Sequence, residues 1–152
     1  MVSTSGDDVA RRCAEAMWDS DRASQELGMA IVEVRTGYAL LSMPVLQNMV
    51  NGHDICHGGF IATLADSAFA FACNTYDDVT VAAGFDITFL TPARLGDVLH
   101  AVAHERTRSG RSGIYDVTVW RGYASNGVDQ ESGERIAEFR GRSRSLGRSL
   151  LS

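Results

Sequence analysis

One carboxylate stands out by its surroundings. The segment Gly58 to Asn74 carries Phe60, Ile61, Leu64, Ala65, Ala68, Phe69, Phe71 and Ala72, and Asp66 is its only charged side chain. Aspartate is a poor interior helix former, and burying it unpaired is costly or forces its pKa up. Two readings stand. Either Asp66 lies on a thin exposed stripe beside Thr63 and Ser67, or it is a general base or nucleophile in a cleft. His57-Gly58-Gly59 opens the same segment. The first N–H groups of a helix lack intrahelical partners and sit at its positive end. Glycine lets a ligand approach that backbone, so the terminus can hold a developing oxyanion, although a plain glycine turn has the same spelling. Gly58 and Asp66 are eight positions apart, about 12 Å along a helix. One carbonyl cannot touch both within one helix. If both act on one group, a second copy with its helix antiparallel must complete the site in a two-fold dimer.

Other clusters invite other chemistry. His53, Cys56 and His57 are possible zinc ligands, but no fourth ligand stands nearby, so no metal is expected. A haem-attachment motif would need a cysteine where His53 stands. Cys56 and His57 are adjacent, and neighbours in an extended segment point to opposite faces, which works against a nucleophilic pair. Arg106, Arg108 and Arg111 surround Ser109-Gly110, and Arg140, Arg142 and Arg144 alternate so that all three can share one strand face. They can contact the phosphates of a nucleotide tail, or form a solvated edge face that discourages strand pairing.

These residues need elements to hold them. Val9, Cys13, Ala16 and Met17 give Asp7 to Glu26 helical spacing, ended by Leu27-Gly28. Met29 to Arg35 and Tyr38 to Met43 predict a strand pair across Thr36-Gly37. Val45 to His57 reads as an ordered loop. Gly58 to Asn74, apolar on nearly every face, predicts a buried helix. Val81, Ala83, Phe85, Ile87 and Phe89 alternate with smaller or polar residues, which predicts a half-buried strand. Strands follow over Val98 to Arg106, Ile114 to Tyr123 and Arg135 to Arg144, with Asn126-Gly127 and Ser132-Gly133 marking a loop. An antiparallel sheet with one apolar helix buries that helix only by wrapping around it.

Composition bounds the classes. At 152 residues the chain is long enough for a full core without staples, and a net charge of −5 argues against nucleic acid or an anionic membrane as partner. Cys13, Cys56 and Cys73 form no disulfide framework, the first residues do not spell a signal peptide, and the apolar run around Phe60 to Cys73 is too short for a bilayer. A cytoplasmic enzyme is expected.

The run Asn51-Gly52-His53-Asp54-Ile55-Cys56-His57-Gly58-Gly59-Phe60, then Leu64-Ala65-Asp66-Ser67-Ala68-Phe69-Ala70 and Ala72-Cys73-Asn74, resembles the phenylacetate-pathway (PaaI-type) thioesterases. Asp86 to Pro92, Gly113 to Asp116 and Phe139-Arg140-Gly141 add to the likeness, which spans about Leu27 to Gly147. The resemblance implies an α+β hotdog fold, an antiparallel sheet wrapped around one long central helix, here with an extra N-terminal helix. It divides the chain into an N-terminal helical segment (1–26), a hotdog domain (27–147) and a tail (148–152). It implies hydrolysis of aryl- or arylacetyl-CoA, with coenzyme A as part of the substrate and no separate cofactor, in dimers or dimers of dimers that share active sites. By position, Asp66 matches the catalytic carboxylate, Gly58 the N–H donor to the thioester carbonyl, Asn51 a polar residue orienting substrate or water, and His57 the histidine at the helix start. Coenzyme A contacts match Thr91 to Arg94, Arg108, Ser109, Gly110, Arg111 and Arg142. Three features depart from the pattern: a longer, more acidic Asp129 to Glu134, an unmatched segment up to Asp21, and Ser67 where threonine is expected. A hotdog hydratase would pair His53 or His57 with Asp66. A non-catalytic acyl-CoA sensor would carry a DNA-binding segment, for which the residues before Leu27 are too few and too acidic.

Overall fold

A computed structural model describes residues 5–127 and 130–152. The order of elements is α1 (Gly6–Trp18), α2 (Arg22–Glu26), β1 (Ala30–Arg35), β2 (Tyr38–Pro44), a 3₁₀ turn (Gln47–Met49), α3 (Gly58–Cys73), β3 (Thr80–Phe89), β4 (Val98–Ser109), β5 (Ser112–Ser125) and β6 (Glu131–Ser145). The six strands form one antiparallel sheet in the order β1-β2-β4-β5-β6-β3. Its inner face carries Leu41, Met43, Leu99, Ala101, Tyr115, Val117, Val119 and Phe139, which close over Ile61, Leu64, Ala65, Ala68, Phe69 and Ala72 of α3. This is the expected hotdog arrangement. Gly141 shows how tightly it is drawn: a Cβ there would stand 2.8 Å from the ring of buried Phe69.

The expected single helix over Asp7 to Glu26 is two helices. Asp19, Ser20 and Asp21 compete with the helical backbone for hydrogen bonds, and Asp21 instead caps α2 by accepting from the Ser24 N–H at 3.0 Å. α1 begins with a capping box between Ser5 and Asp8 and packs Ala10, Cys13 and Ala14 inward. Gly28 leaves α2 at φ +75°, a conformation glycine takes without strain. Residues after β6 are fastened by Asp77, whose Oδ1 accepts from Ser149 Oγ and from the Leu150 and Leu151 N–H groups.

Three further expectations change. Ser132-Gly133 is no loop but part of β6, where an irregularity in the β5 pairing absorbs Gly133 at φ +132°. The acidic stretch from Asp129 begins partly outside the described residues, and its remainder from Glu131 belongs to β6. β6 is no edge strand: it runs between β5 and β3, so its arginines do not guard an edge. Arg140 instead makes a two-pronged pair with Asp116 at 2.7 and 2.9 Å across the outer face. The strand expected to be half-buried, β3, is the true edge. Val81, Phe85 and Phe89 stay 43, 40 and 49% exposed, because none of the described residues pairs beyond β3. No described helix is long and apolar enough to cross a membrane.

Candidate active site

α3 is not buried on every side. Ile61, Leu64, Ala65, Ala68, Phe69, Phe71, Ala72 and Cys73 face the core, while Ala62, Thr63, Asp66, Ser67 and Ala70 form a half-buried stripe. The stripe reading of Asp66 is met in part. It does lie beside Thr63 and Ser67 on a stripe, yet that stripe is shielded enough that burial pushes its carboxyl above the usual aspartate range, with the nearby Asp21 carboxylate adding to the rise. No hydrogen bond or cation among the described residues opposes the rise.

His57 is the N-cap residue of α3, extended at φ −60°, ψ 136°, and its side chain makes no capping bond. No side-chain cap takes the Gly58 and Gly59 N–H groups at this terminus, whereas the Phe60 N–H donates to His57 O. Gly58 earns its place sterically: a Cβ would come within 2.6 Å of the Phe89 ring, whereas Gly59 faces open space. Beside Gly58 lies an open, mainly apolar groove of about 450 Å³, bounded by Ile61, Phe89 and residues Leu90 to Ala93.

The preceding loop is ordered by its own bonds. Asn51 Oδ1 accepts from the His53 and Ile55 N–H groups at 2.9 and 3.2 Å. These bonds leave the Asn51 NH₂ uninvolved. The loop is knitted to the β3–β4 connection, with the Cys56 N–H donating to Ala93 O and the Leu95 N–H to Asp54 O. Cys56 is buried, its thiol pushed up by desolvation and directed to its neighbour's backbone oxygen, while His57 is exposed. The two side chains form no nucleophile–base pair. Among the described residues no three His, Cys, Asp or Glu side chains converge as metal ligands.

The residues matched to coenzyme A do not form one cluster within a chain. Thr91 borders the groove at the N-terminal end of α3, and Arg94 lies in the connection bridged to Ile55. Arg108, Ser109, Gly110 and Arg111 form the β4–β5 turn, and Arg108, Gly110 and Arg111 border a small recess with Cys73 and Tyr76 at the opposite end. The 16-residue helix separates the two ends by about 24 Å. Arg108 stacks 3.5 Å over the Tyr76 ring. Arg142 lies between the ends and pairs with Asp86 at 2.9 Å. Asp21 and Ser24 of α2 also reach α3, through Ser67. Sequence reasoning passed over them. The only signal was an acidic residue three before a serine ahead of a short helical run, a capping spacing that occurs wherever helices start.

Residues 53–123 match the family model of the thioesterase superfamily. The chain is 38% identical over 134 residues to the acyl-coenzyme A thioesterase PaaI of Escherichia coli, covering 88% of this chain and 89% of the relative. The solved structure of E. coli PaaI, from the phenylacetic acid degradation operon, superposes with a TM-score of 0.87 at 35% identity, covering 95% of this chain and 99% of that one. A mutant of the phenylacetic acid degradation protein PaaI of Thermus thermophilus superposes with a TM-score of 0.72 at 30% identity, covering 83% and 100%. With its six strands wrapped around α3, this chain belongs to the PaaI family of hotdog-fold enzymes in the thioesterase superfamily, a family of thioester hydrolases.

Proposed function

We propose that this protein hydrolyses acyl-CoA thioesters, with aryl- or arylacetyl-CoA of the phenylacetyl or hydroxyphenylacetyl type as substrates, and releases the free acid and coenzyme A. The observation that carries the reading is a shielded carboxylate, Asp66, on the half-buried stripe of the helix whose own N-terminus lacks a side-chain cap beside an apolar groove. The groove suits the apolar part of an acyl thioester. Asp66 takes a proton from water as the water oxygen adds to the thioester carbon. The oxyanion is held by a Gly58 N–H. Collapse breaks the carbon–sulfur bond, and the thiolate leaves and is protonated. If Asp66 instead attacks directly, isotope-labelled water leaves its label in the enzyme after a single turnover.

One helix cannot present both groups to one carbonyl, so the site takes Asp66 from one subunit and Gly58 from another. The β3 edge supports this. Among the described residues its ten positions have no neighbouring strand beyond them and expose Val81, Phe85 and Phe89, the form of edge that recruits another strand. Antiparallel pairing of two β3 strands would set the two α3 helices antiparallel. It would also bring Thr91 and Arg94 of one subunit toward Arg108 to Arg111 of the other, where coenzyme A phosphates need cations.

Mixing two inactive variants tests the reading. Asp66→Asn and Gly58→Val are each expected to lose turnover on phenylacetyl-CoA, hydroxyphenylacetyl-CoA, benzoyl-CoA and medium-chain acyl-CoA. An equimolar refolded mixture should regain about a quarter of wild-type activity, because half the dimers are mixed and each keeps one intact site. No regain would show that the two residues serve the same subunit's site. No thiol release by the wild type from any substrate would refute the thioesterase itself.

A further inference from the structure

The N-terminal helices do more than cover the sheet. Asp21 caps α2 with one oxygen, and its other oxygen accepts from the Ser24 hydroxyl at 2.7 Å. Ser24 is almost fully buried, and its Oγ lies 2.8 Å from Ser67 Oγ on α3. A serine hydroxyl has one proton to give. Ser24 gives its proton to Asp21, so Ser67 must be the donor to Ser24. The result is a directed chain from Ser67 through Ser24 to a carboxylate. It leaves the Ser67 oxygen with lone pairs but no proton for any further partner. It also joins α2 to the residue beside Asp66, across 43 positions of sequence.

We propose that Asp21 is a positioning residue of the thioesterase site: through Ser24 it fixes the Ser67 hydroxyl, next to Asp66, as an acceptor for the reacting water. The inference rests on the reading of Asp66 as the catalytic carboxylate. A water that donates one proton to Asp66 and the other to Ser67 Oγ turns a lone pair away from both, toward the thioester carbon. As it attacks, the first proton passes to Asp66 and the second stays on the new carboxyl oxygen until product forms. Among the described residues, two ionisable groups face Asp66. Asp21, on α2, disfavours its ionised form, after the larger effect of burial. Cys73, on α3 itself, has a thiol pushed up to about 12 by its own burial, so it stays neutral at working pH.

The test is the pH profile of kcat/KM for the full-length protein, with the best acyl-CoA of the panel, in Asp21→Asn, Ser67→Ala and Asp66→Asn. Asparagine retains an oxygen to cap α2, so Asp21→Asn removes charge with little cost to the fold, checked by its melting temperature. Its acid limb should move to lower pH than that of the wild type, with a lower plateau. Ser67→Ala leaves the α2 cap untouched and should lower kcat on the order of tenfold with KM unchanged, as expected for a misplaced water. A wild-type acid limb in Asp21→Asn, or wild-type kcat in Ser67→Ala, overturns the proposal. Should Asp21→Asn melt early, Ser67→Ala still decides it. If Asp66→Asn remains active, the underlying reading of the site fails instead. If Asp66→Asn is inactive and the other two behave as wild type, only this inference fails.

Discussion

The sheet has two free edges, and they are built differently. β1 is six residues long, is irregular between Ile31 and Glu33, carries Glu33 and Arg35, and lies under α1. β3 is ten residues long, carries one charge, Asp86, and exposes three large apolar side chains. Short length, bulges, charges and a covering helix are the devices that keep an edge from pairing. β1 has all of them, and β3 has few. The contrast teaches which edge is protected within this chain and which is left without such devices, the edge on which the proposed shared site depends. The same side holds the Phe89–Gly58 contact and the apolar groove.

The comparison can be broken most sharply at the carboxylate. Asp66→Asn should lower kcat by about 10²-fold or more, since it removes the proton acceptor while keeping the shape. Steady-state kinetics together with an unchanged circular dichroism spectrum check this. Near-normal kcat would detach the chemistry from the β3 side altogether. Next come the two edges themselves. Val81→Lys with Phe89→Lys should convert the oligomer to monomer and reduce activity on the order of tenfold or more, whereas Val32→Lys on β1 should change neither. Light scattering after size exclusion separates the two outcomes, and equal behaviour at both edges would erase the distinction. Within the core that carries both edges, Gly141→Ala forces the Phe69 ring aside and should cost about 1–3 kcal/mol by denaturant unfolding.

The smallest effect is a stability difference with pH. The folded carboxyl of Asp66 is raised above its unfolded value of 3.8. The folded state therefore holds that proton more tightly, and the stability this gives is full below the unfolded value and lost as pH rises through the folded one. Asparagine cannot ionise. Asp66→Asn should therefore melt slightly above wild type at neutral pH, and the gap should close as pH falls below the ordinary aspartate range. A gap that does not depend on pH would mean that the effect is packing rather than charge.

Much of the fold was legible. Period-two alternation marked β3, apolar runs between turn residues marked the other strands, glycines marked the β1–β2 and β4–β5 turns, and the alanine-rich run of α3 stood apart by length and composition. Period alone does not tell an inner strand from an edge strand, and so β3 was expected to be half-buried although Val81, Phe85 and Phe89 stand exposed at the sheet's edge. The Asp19-Ser20-Asp21 break went unseen because each residue is individually tolerated in a helix and only their sum ends it. Of the site, Asp66 and the glycine start of α3 showed as anomalies of type, a charge among apolar residues and two glycines at a helix entry. Of the Asp21–Ser24–Ser67 chain, the first link left only a common capping spacing and the second left none, since hydrogen bonds between residues far apart in the chain leave no pattern in a sequence.

The sequence by itself determined which helix is central, which carboxylate sits in it, and that Asp66 and Gly58 cannot serve one carbonyl from one helix, because rise per residue is a fixed property of the backbone. Tertiary structure alone decided that β3 is an open edge, that the arginines matched to coenzyme A stand at opposite ends of α3, and that α2 reaches Ser67. Those are facts of strand order and packing, where neighbours in space are far apart in the chain.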